Sequence, residues 1–381
     1  MKNIAFTVVA LAATIVALLL PNRFTENSRA MYANSERVRA RITEVDNSTV
    51  KMIGPVKQGE QQLEMTVLSG KFKGRTFRST NNLVGKIELD KLYSAGDSVL
   101  AVLDLTGPKS DQGSDVLYAT VFDHYRTGKT VALALLFFGL LILVTGSVGV
   151  KTVISFVFTG AMIVKVLLPA MLNGADPVIA SFAVTTALTA AITLLVGGVN
   201  RRGFAAFAGA SLGVVATAVL AFVCTDAFHL HGATRAFSET LLYSGYAHLD
   251  IQKLFIGGIF LASSGAVMDL AMDIAAGMSE VQEQQPQITR RGLILSGFSM
   301  SRYMTGTMTT TLLLAYSAEY TAMLMTFIAQ GVPLENIANM VFVSAEIVHT
   351  LVGCFGLVLV APFTAVAGGF ILHKGIRVRP S

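Results

Sequence analysis

Apolar segments long enough to cross a lipid bilayer recur along this chain, and in lipid each must satisfy its backbone polar groups internally, as a helix. A hydrocarbon core of about 30 Å takes about 20 residues of α-helix. Residues 130–148, 153–172, 178–196, 204–224, 254–272, 304–328 and 348–372 meet that length. An additional, shorter run covers residues 4–20, after Lys2 and before Pro21 and Arg23. No small-x-small cleavage pattern follows it closely, so it reads as an uncleaved anchor rather than a signal peptide. Of the 381 residues, 53% are hydrophobic and only 14% charged, against about a quarter charged in soluble domains. The class is an integral membrane protein.

Lys and Arg placement orients the spans, because cytoplasmic loops carry the excess of positive charge. With the N-terminus inside, the inner loops hold Lys151, then Arg201 and Arg202, then Arg290, Arg291 and Arg302, and the tail His373, Lys374, Arg377 and Arg379 is also inside. The outer loops 173–177 and 331–335 hold no Lys or Arg, and the longer outer connection 226–253 holds only Arg235 and Lys253. About eight spans with both termini cytoplasmic satisfy the rule. Residues 336–372 are too long for one straight span, and they read as an outer-face helix running into a kinked final span at Pro362. The net charge of +5 forms no clustered basic face, so nucleic-acid binding is not expected.

Residues 37–123 follow a different period. Val38, Ala40 and Ile42 alternate with arginines, Leu63, Met65 and Val67 alternate with polar residues, and 98–104 and 117–122 read as further strands. The expected organisation is an N-terminal membrane anchor at 1–21, an exported β-rich domain at 22–128 opening on a polar linker, and a helical membrane domain of about seven spans at 129–381. Five or so strands in this length suggest a small OB-like β-barrel. The turn 69–75, Ser-Gly-Lys-Phe-Lys-Gly-Arg, reads as a solvated hairpin, with a ligand loop as the alternative.

Function is sought where charge sits in apolar segments, since such residues usually face a protein interior or a watery path. Asp269 and Asp273 lie four apart on one face of the fifth long span, with Ala262, Gly265, Ala266, Ala276, Gly277 and Glu280. That small-residue stripe is expected to pack against another helix. Depth counting places Asp269 in the inner third of the span and Asp273 near the inner interface. Asp269 is then a cation or proton site, or else it makes an interhelical bond while Asp273 meets headgroups. The next span opens with Arg302, Thr305, Thr307, Thr309, Thr310 and Thr311 at the same depth, where hydroxyls suit a hard cation or back-bond to their own helix. Glu346 and His349, three apart near the outer end of the last span, form a candidate gate or proton relay, or an interfacial hydrogen bond. Lys165 is too far toward the outer half to pair readily with Asp269. Asp226, His229, His231, His248 and Asp250 match no metal template and read as solvated, and no metal is assigned to any of these groups. Gly209 and Gly213 form a small-xxx-small packing pair. Cys224 and Cys354 read as small buried hydrophobes.

The stretches Gly265-Ala-Val-Met-Asp-Leu-Ala-Met-Asp-Ile274, Gly306-Thr-Met-Thr-Thr-Thr-Leu-Leu-Leu-Ala-Tyr316, Glu346-Ile-Val-His-Thr-Leu-Val-Gly353 and Gly356-Leu-Val-Leu-Val-Ala-Pro362 resemble the YibE/F family of multi-pass bacterial membrane proteins. Leu68–Gly74 and Gly96–Val99 resemble its exported segment. The resemblance implies the architecture above and no particular reaction. The residues point to a transporter or channel in the bacterial plasma membrane, passing a small solute or ion along Asp269, Asp273, Arg302, Thr305, Thr307, Thr309, Thr310, Glu346 and His349. The alternative is an envelope scaffold or sensor whose exported domain binds an envelope partner. No nucleophile, base and oxyanion set is visible, so no enzyme is expected, nor any cofactor. Membrane lipid is the constant partner, and self-association into a homo-oligomer is compatible with the sequence.

Overall fold

The computed structural model describes residues 2–21, 31–107 and 115–373. Most of the polar linker, residues 22–30, lies outside the described residues, as do Lys374, Arg377 and Arg379 of the basic tail. Two compact units divide the chain: residues 21–141, and residues 1–20 together with 142–381.

The first of these units is a curled antiparallel sheet. Its strands are β1 (Ser35–Asp46), β2 (Lys51–Ile53), β3 (Val56–Val67), β4 (Thr76–Val84), β5 (Ser98–Leu105) and β6 (Val116–His124). Hydrogen-bonded neighbours run β4-β3-β1-β5-β6, and the short β2 pairs with the start of β3. Alternation dictates the core. Val38, Ala40, Ile42, Leu63, Met65, Val67, Val99, Ala101, Leu103 and Leu105 all point to one face and are buried. Phe72 folds in from the 69–75 turn and is buried with them. A barrel was expected, and the backbone ladder stops short of one: β4 and β6 meet through Ser79 Oγ, which accepts from the Val121 amide at 3.1 Å. The buried Gln61 is fully satisfied. It donates to Asn47 (2.7 Å) and the Tyr93 carbonyl (3.1 Å) and accepts from Asn81 (2.9 Å) and the Tyr93 amide (3.1 Å), which removes the cost of burying a bare amide. Burial, with the Asp123 carboxylate close by, pushes the Tyr93 hydroxyl up to about 12.

The helical unit, together with residues 127–141 of the first unit, is built from apolar segments that form helices because lipid offers the backbone no other partner. In chain order the helices are α1 (Lys2–Leu19), α2 (Thr127–Thr145), α3 (Ser147–Ala161), a π-helical stretch (Met162–Leu167) running into α4 (Leu168–Leu172), α5 (Pro177–Val196), α6 (Arg201–Ala227), α7 (Ser238–Tyr243), α8 (Ile251–Gln284), α9 (Arg290–Ala329), α10 (Leu334–Asn339) and α11 (Val341–Ile371). Among the described residues, seven helices are long and apolar enough to cross a membrane: α2, the run from α3 to α4, α5, α6, α8, α9 and α11. The remaining expected span corresponds to α1, which is shorter. No residue of α2 is buried.

The core of this unit is the triple contact of α6, α8 and α11. Small residues let these backbones close up. A side chain at Gly209 would fall on Thr364, one at Gly213 on Val267 and Val360, and one at Gly356 on Thr217. α9 packs on α8 and α11, α5 packs on α6 and α8, and α1 packs on α3. One end of the unit gathers the Asn3 side chain, which accepts from the Val199 amide at 3.0 Å, and Arg201 and Arg202, which share a cavity with Ser279, Gln282 and Leu372.

Two boundaries differ from the hydropathy reading, those of α8 and α9, while residues 334–371 follow it. α8 begins at Ile251 as 34 residues and α9 at Arg290 as 40 residues, roughly 51 and 60 Å at 1.5 Å per residue. Arg290 and Arg291 therefore lie in the first turn of a helix rather than in a loop, and Arg302 lies three turns in. Hydropathy marks the part of a helix that suits lipid, whereas the hydrogen-bond ladder continues into water. The final span is one continuous helix with Pro362 inside it, preceded by the short α10.

Candidate functional site: a charged pocket between α8, α9 and α11

A cavity of about 250 Å³ opens where the α6–α8 connection folds over the start of α8. Its apolar wall comes from α8, with Ile251, Phe255, Ile259 and Ala262 around Gly258. Arg235 from the connection, Glu319 from α9 and His349 from α11 supply the polar wall. Local backbone holds Arg235 in place. Gly232 takes φ +80° directly against the Ile251 carbonyl, where a side chain has no room. Gln252 Nε2 donates to the Leu230 carbonyl at 2.9 Å, and Ser238 Oγ donates to the Arg235 carbonyl at 2.6 Å.

One guanidinium nitrogen serves two carboxylates: Arg235 Nη1 is 2.8 Å from Glu346 Oε1 and 3.1 Å from Glu319 Oε2. Glu346 is nearly buried, at 10% side-chain exposure, while Glu319 at 61% stands at the mouth. His349 Nδ1 lies 3.9 Å from Glu346 Oε2, beyond hydrogen-bonding range, and both atoms are buried without a partner. The Tyr316 ring sits 4.5 Å from the imidazole, and its buried hydroxyl is also unpartnered. Tyr316 fits there because Gly353 leaves it space. Nearby, on the same end of the unit, Asp176 caps α5 through the Val178 and Ile179 amides. It also accepts from Lys253 Nζ at 2.6 Å, and that ammonium above all holds the Asp176 carboxyl below its ordinary range.

Other sequence-selected residues lie further along the same helices. Asp269 and Asp273 are exposed on α8, as are Ala262 and Gly265, so this part of the small-residue stripe is open rather than packed. Lower down, Gly277 meets Met300 of α9, and higher up Ala266 packs with Leu312, Tyr316 and Cys354. The antiparallel register between those contacts sets Asp269 at the level of Thr309 and Asp273 at that of Thr305. Acids and threonines thus share a level along the two helices, yet no side-chain bond joins them among the described residues. Thr307, Thr309, Thr310 and Thr311 donate instead to carbonyls of their own helix. Thr305 Oγ1 differs: it is buried and unpartnered. Arg302 is exposed and joins no ion pair among the described residues. Lys165 lies in the π-helical stretch, on the run that packs against α5. Among the described residues no three His, Cys, Asp or Glu side chains are grouped to hold a metal.

Sequence reasoning selected Glu346 and His349 and passed over Arg235, Glu319 and Tyr316. Glu319 carried a usable signal, an acid inside an apolar segment; Arg235 carried none. The chain was also compared with known proteins. A family model described as YibE/F-like protein matches residues 133–374, and one described as YibE/F family N-terminal domain matches residues 30–116. No curated protein and no solved structure matches the chain.

Proposed function

This chain belongs to the YibE/F-like family of membrane proteins, and from that premise we propose that it passes a small solute or ion across the bacterial plasma membrane. The observation that carries this reading is the open face of α8. Gly258 and Ala262 line the pocket, and the same exposed face continues through Gly265 to Asp269 and Asp273. Ala262 and Asp269 are seven residues apart, two turns and about 10 Å, so the wall of the pocket and the mid-helix acids share one stripe. Glu319 then stands at the outer mouth with Glu346 and His349 buried behind it, and Asp269 with Thr305 lines the path beyond them.

Both termini are assigned to the cytoplasm and residues 22–128 to the outside. This placement is supported by the contact of Asn3 with Val199 beside Arg201 and Arg202, since positive loops stay inside. The strand order β4-β3-β1-β5-β6 with β6 returning toward β4 favours an OB-like reading of the exported domain. We assign no enzymatic activity.

Flux through purified protein in liposomes tests the proposal, with K⁺, Na⁺, H⁺ and small organic ions and neutral solutes compared in parallel. At least one solute should move, and Asp269→Asn should slow it about tenfold or more, the effect of removing one charge from a low-dielectric path, without loss of thermal stability. Absence of flux for every solute sinks the transport reading. It would leave the alternative, a scaffold or sensor acting through the β-rich domain, for which the exposed Leu117, Tyr118 and Phe122 of β6 offer a contact surface.

A further inference from the structure

We propose that the pocket of Arg235, Glu319 and His349 binds a small organic cation bearing N–H donors, a primary ammonium on a short apolar chain; this rests on the transport reading only for its purpose, since binding is measurable by itself. Charge comes first. Arg235 is one positive group against two carboxylates, Glu319 and Glu346. The other titratable groups facing the cluster, Tyr316 from α9 and Cys354 from α11, carry no charge in their ordinary forms, and α8 lines the cavity with apolar residues alone. With His349 neutral and both carboxylates ionised, the cluster is short of one positive charge.

Hydrogen bonding narrows the class. Glu346 Oε2 and His349 Nδ1 are buried, unpartnered and 3.9 Å apart. His349 is only 6% exposed and lines the cavity. With its ring proton on Nε2, both atoms are acceptors, and one nitrogen placed about 2.9 Å from each satisfies both. A ligand bringing acceptors, such as a carboxylate or phosphate, would add to the deficit. A bare metal ion would find one carboxylate oxygen and one imidazole beside a guanidinium, a poor donor set for any of the common ions. Ile251, Phe255, Ile259 and Ala262 opposite give an apolar chain somewhere to lie.

Calorimetry on the full chain in nanodiscs, with n-butylammonium, tetramethylammonium and butyrate as probes, decides the matter. n-Butylammonium should bind. Tetramethylammonium, equally charged and without N–H donors, should bind about tenfold more weakly or worse, the value of a charge-assisted hydrogen bond. Butyrate should not bind. Glu319→Gln should weaken n-butylammonium by about twofold to fivefold, as loss of a largely exposed charge partner does. Gly258→Leu should abolish binding while the protein still folds, because open space surrounds that position and leucine favours a helix. Binding of butyrate as tight as n-butylammonium, binding that survives Gly258→Leu, or no binding to the wild type at millimolar concentration overturns the proposal. Binding without flux removes the transport reading alone, and flux without binding removes this one alone.

Discussion

Arg235 is the residue on which the pocket depends, because its guanidinium is the counter-charge against Glu346, whose side chain is only 10% exposed. A fully buried pair loses about 3–5 kcal/mol when one partner goes. Arg235 is itself 34% exposed, so Arg235→Met should cost roughly 2 kcal/mol of that range, read as a lowered denaturation midpoint. Adding Glu346→Gln should restore a large part of the loss, since the unpaired charge disappears with it; a double variant no more stable than Arg235→Met would remove the pair as a structural element. This scale was half legible. Glu346 and His349 announce themselves by standing three apart in an apolar helix. Their partner lies more than a hundred positions earlier, in a connection that reads as a solvated loop, and no local pattern reports such a pairing. Asp269 shows the opposite limit: the spacing gave its helix face correctly, but whether another helix covers that face depends on where α9 crosses α8, which periodicity does not encode.

At the scale of elements, close approach of α6 and α11 is the feature that sets the bundle. Gly209, Gly213 and Gly356 stand where facing helices leave no room for a side chain. Gly356→Val should therefore force α11 off Thr217 and cost about 1–3 kcal/mol, as overpacking does elsewhere, and unfolding of the variant in mild detergent measures it. Stability equal to wild type would mean the helices separate without penalty. The sequence marked Gly209 and Gly213 as a packing pair because small residues four apart make a groove; it could not say that Thr364, Val360 and Val267 fill that groove. Strand positions in the β-rich unit were legible for a similar reason, since alternation reports a buried face directly. The incomplete closure between β4 and β6 was not, because it depends on the coil of the whole sheet.

At the scale of the molecule, composition and span length define the class, and the charge rule gives an orientation that cysteine labelling can test. With Cys224 and Cys354 replaced by serine, Tyr243→Cys, on an exposed residue, should react with a membrane-impermeant maleimide in intact cells. Gln285→Cys, exposed beyond the end of α8, should react only after permeabilisation. The reverse pattern, or labelling of both in intact cells, would overturn the orientation. Helix length escaped the sequence because hydropathy ends with the lipid while α8 and α9 do not.

That length has a mechanical side. α9 joins Glu319 at the pocket to Arg302 through 17 residues of unbroken helix, about 26 Å. An α-helix with its ladder intact is stiff along its axis, so a shift imposed at the mouth is delivered at Arg302 nearly undiminished instead of being absorbed on the way. The run from α3 to α4 is the softer strut, since π-helical turns at Met162–Leu167 interrupt its regular α-helical ladder. Stiffness and compliance are thus assigned to different helices: α9 transmits, and the segment around Lys165 yields.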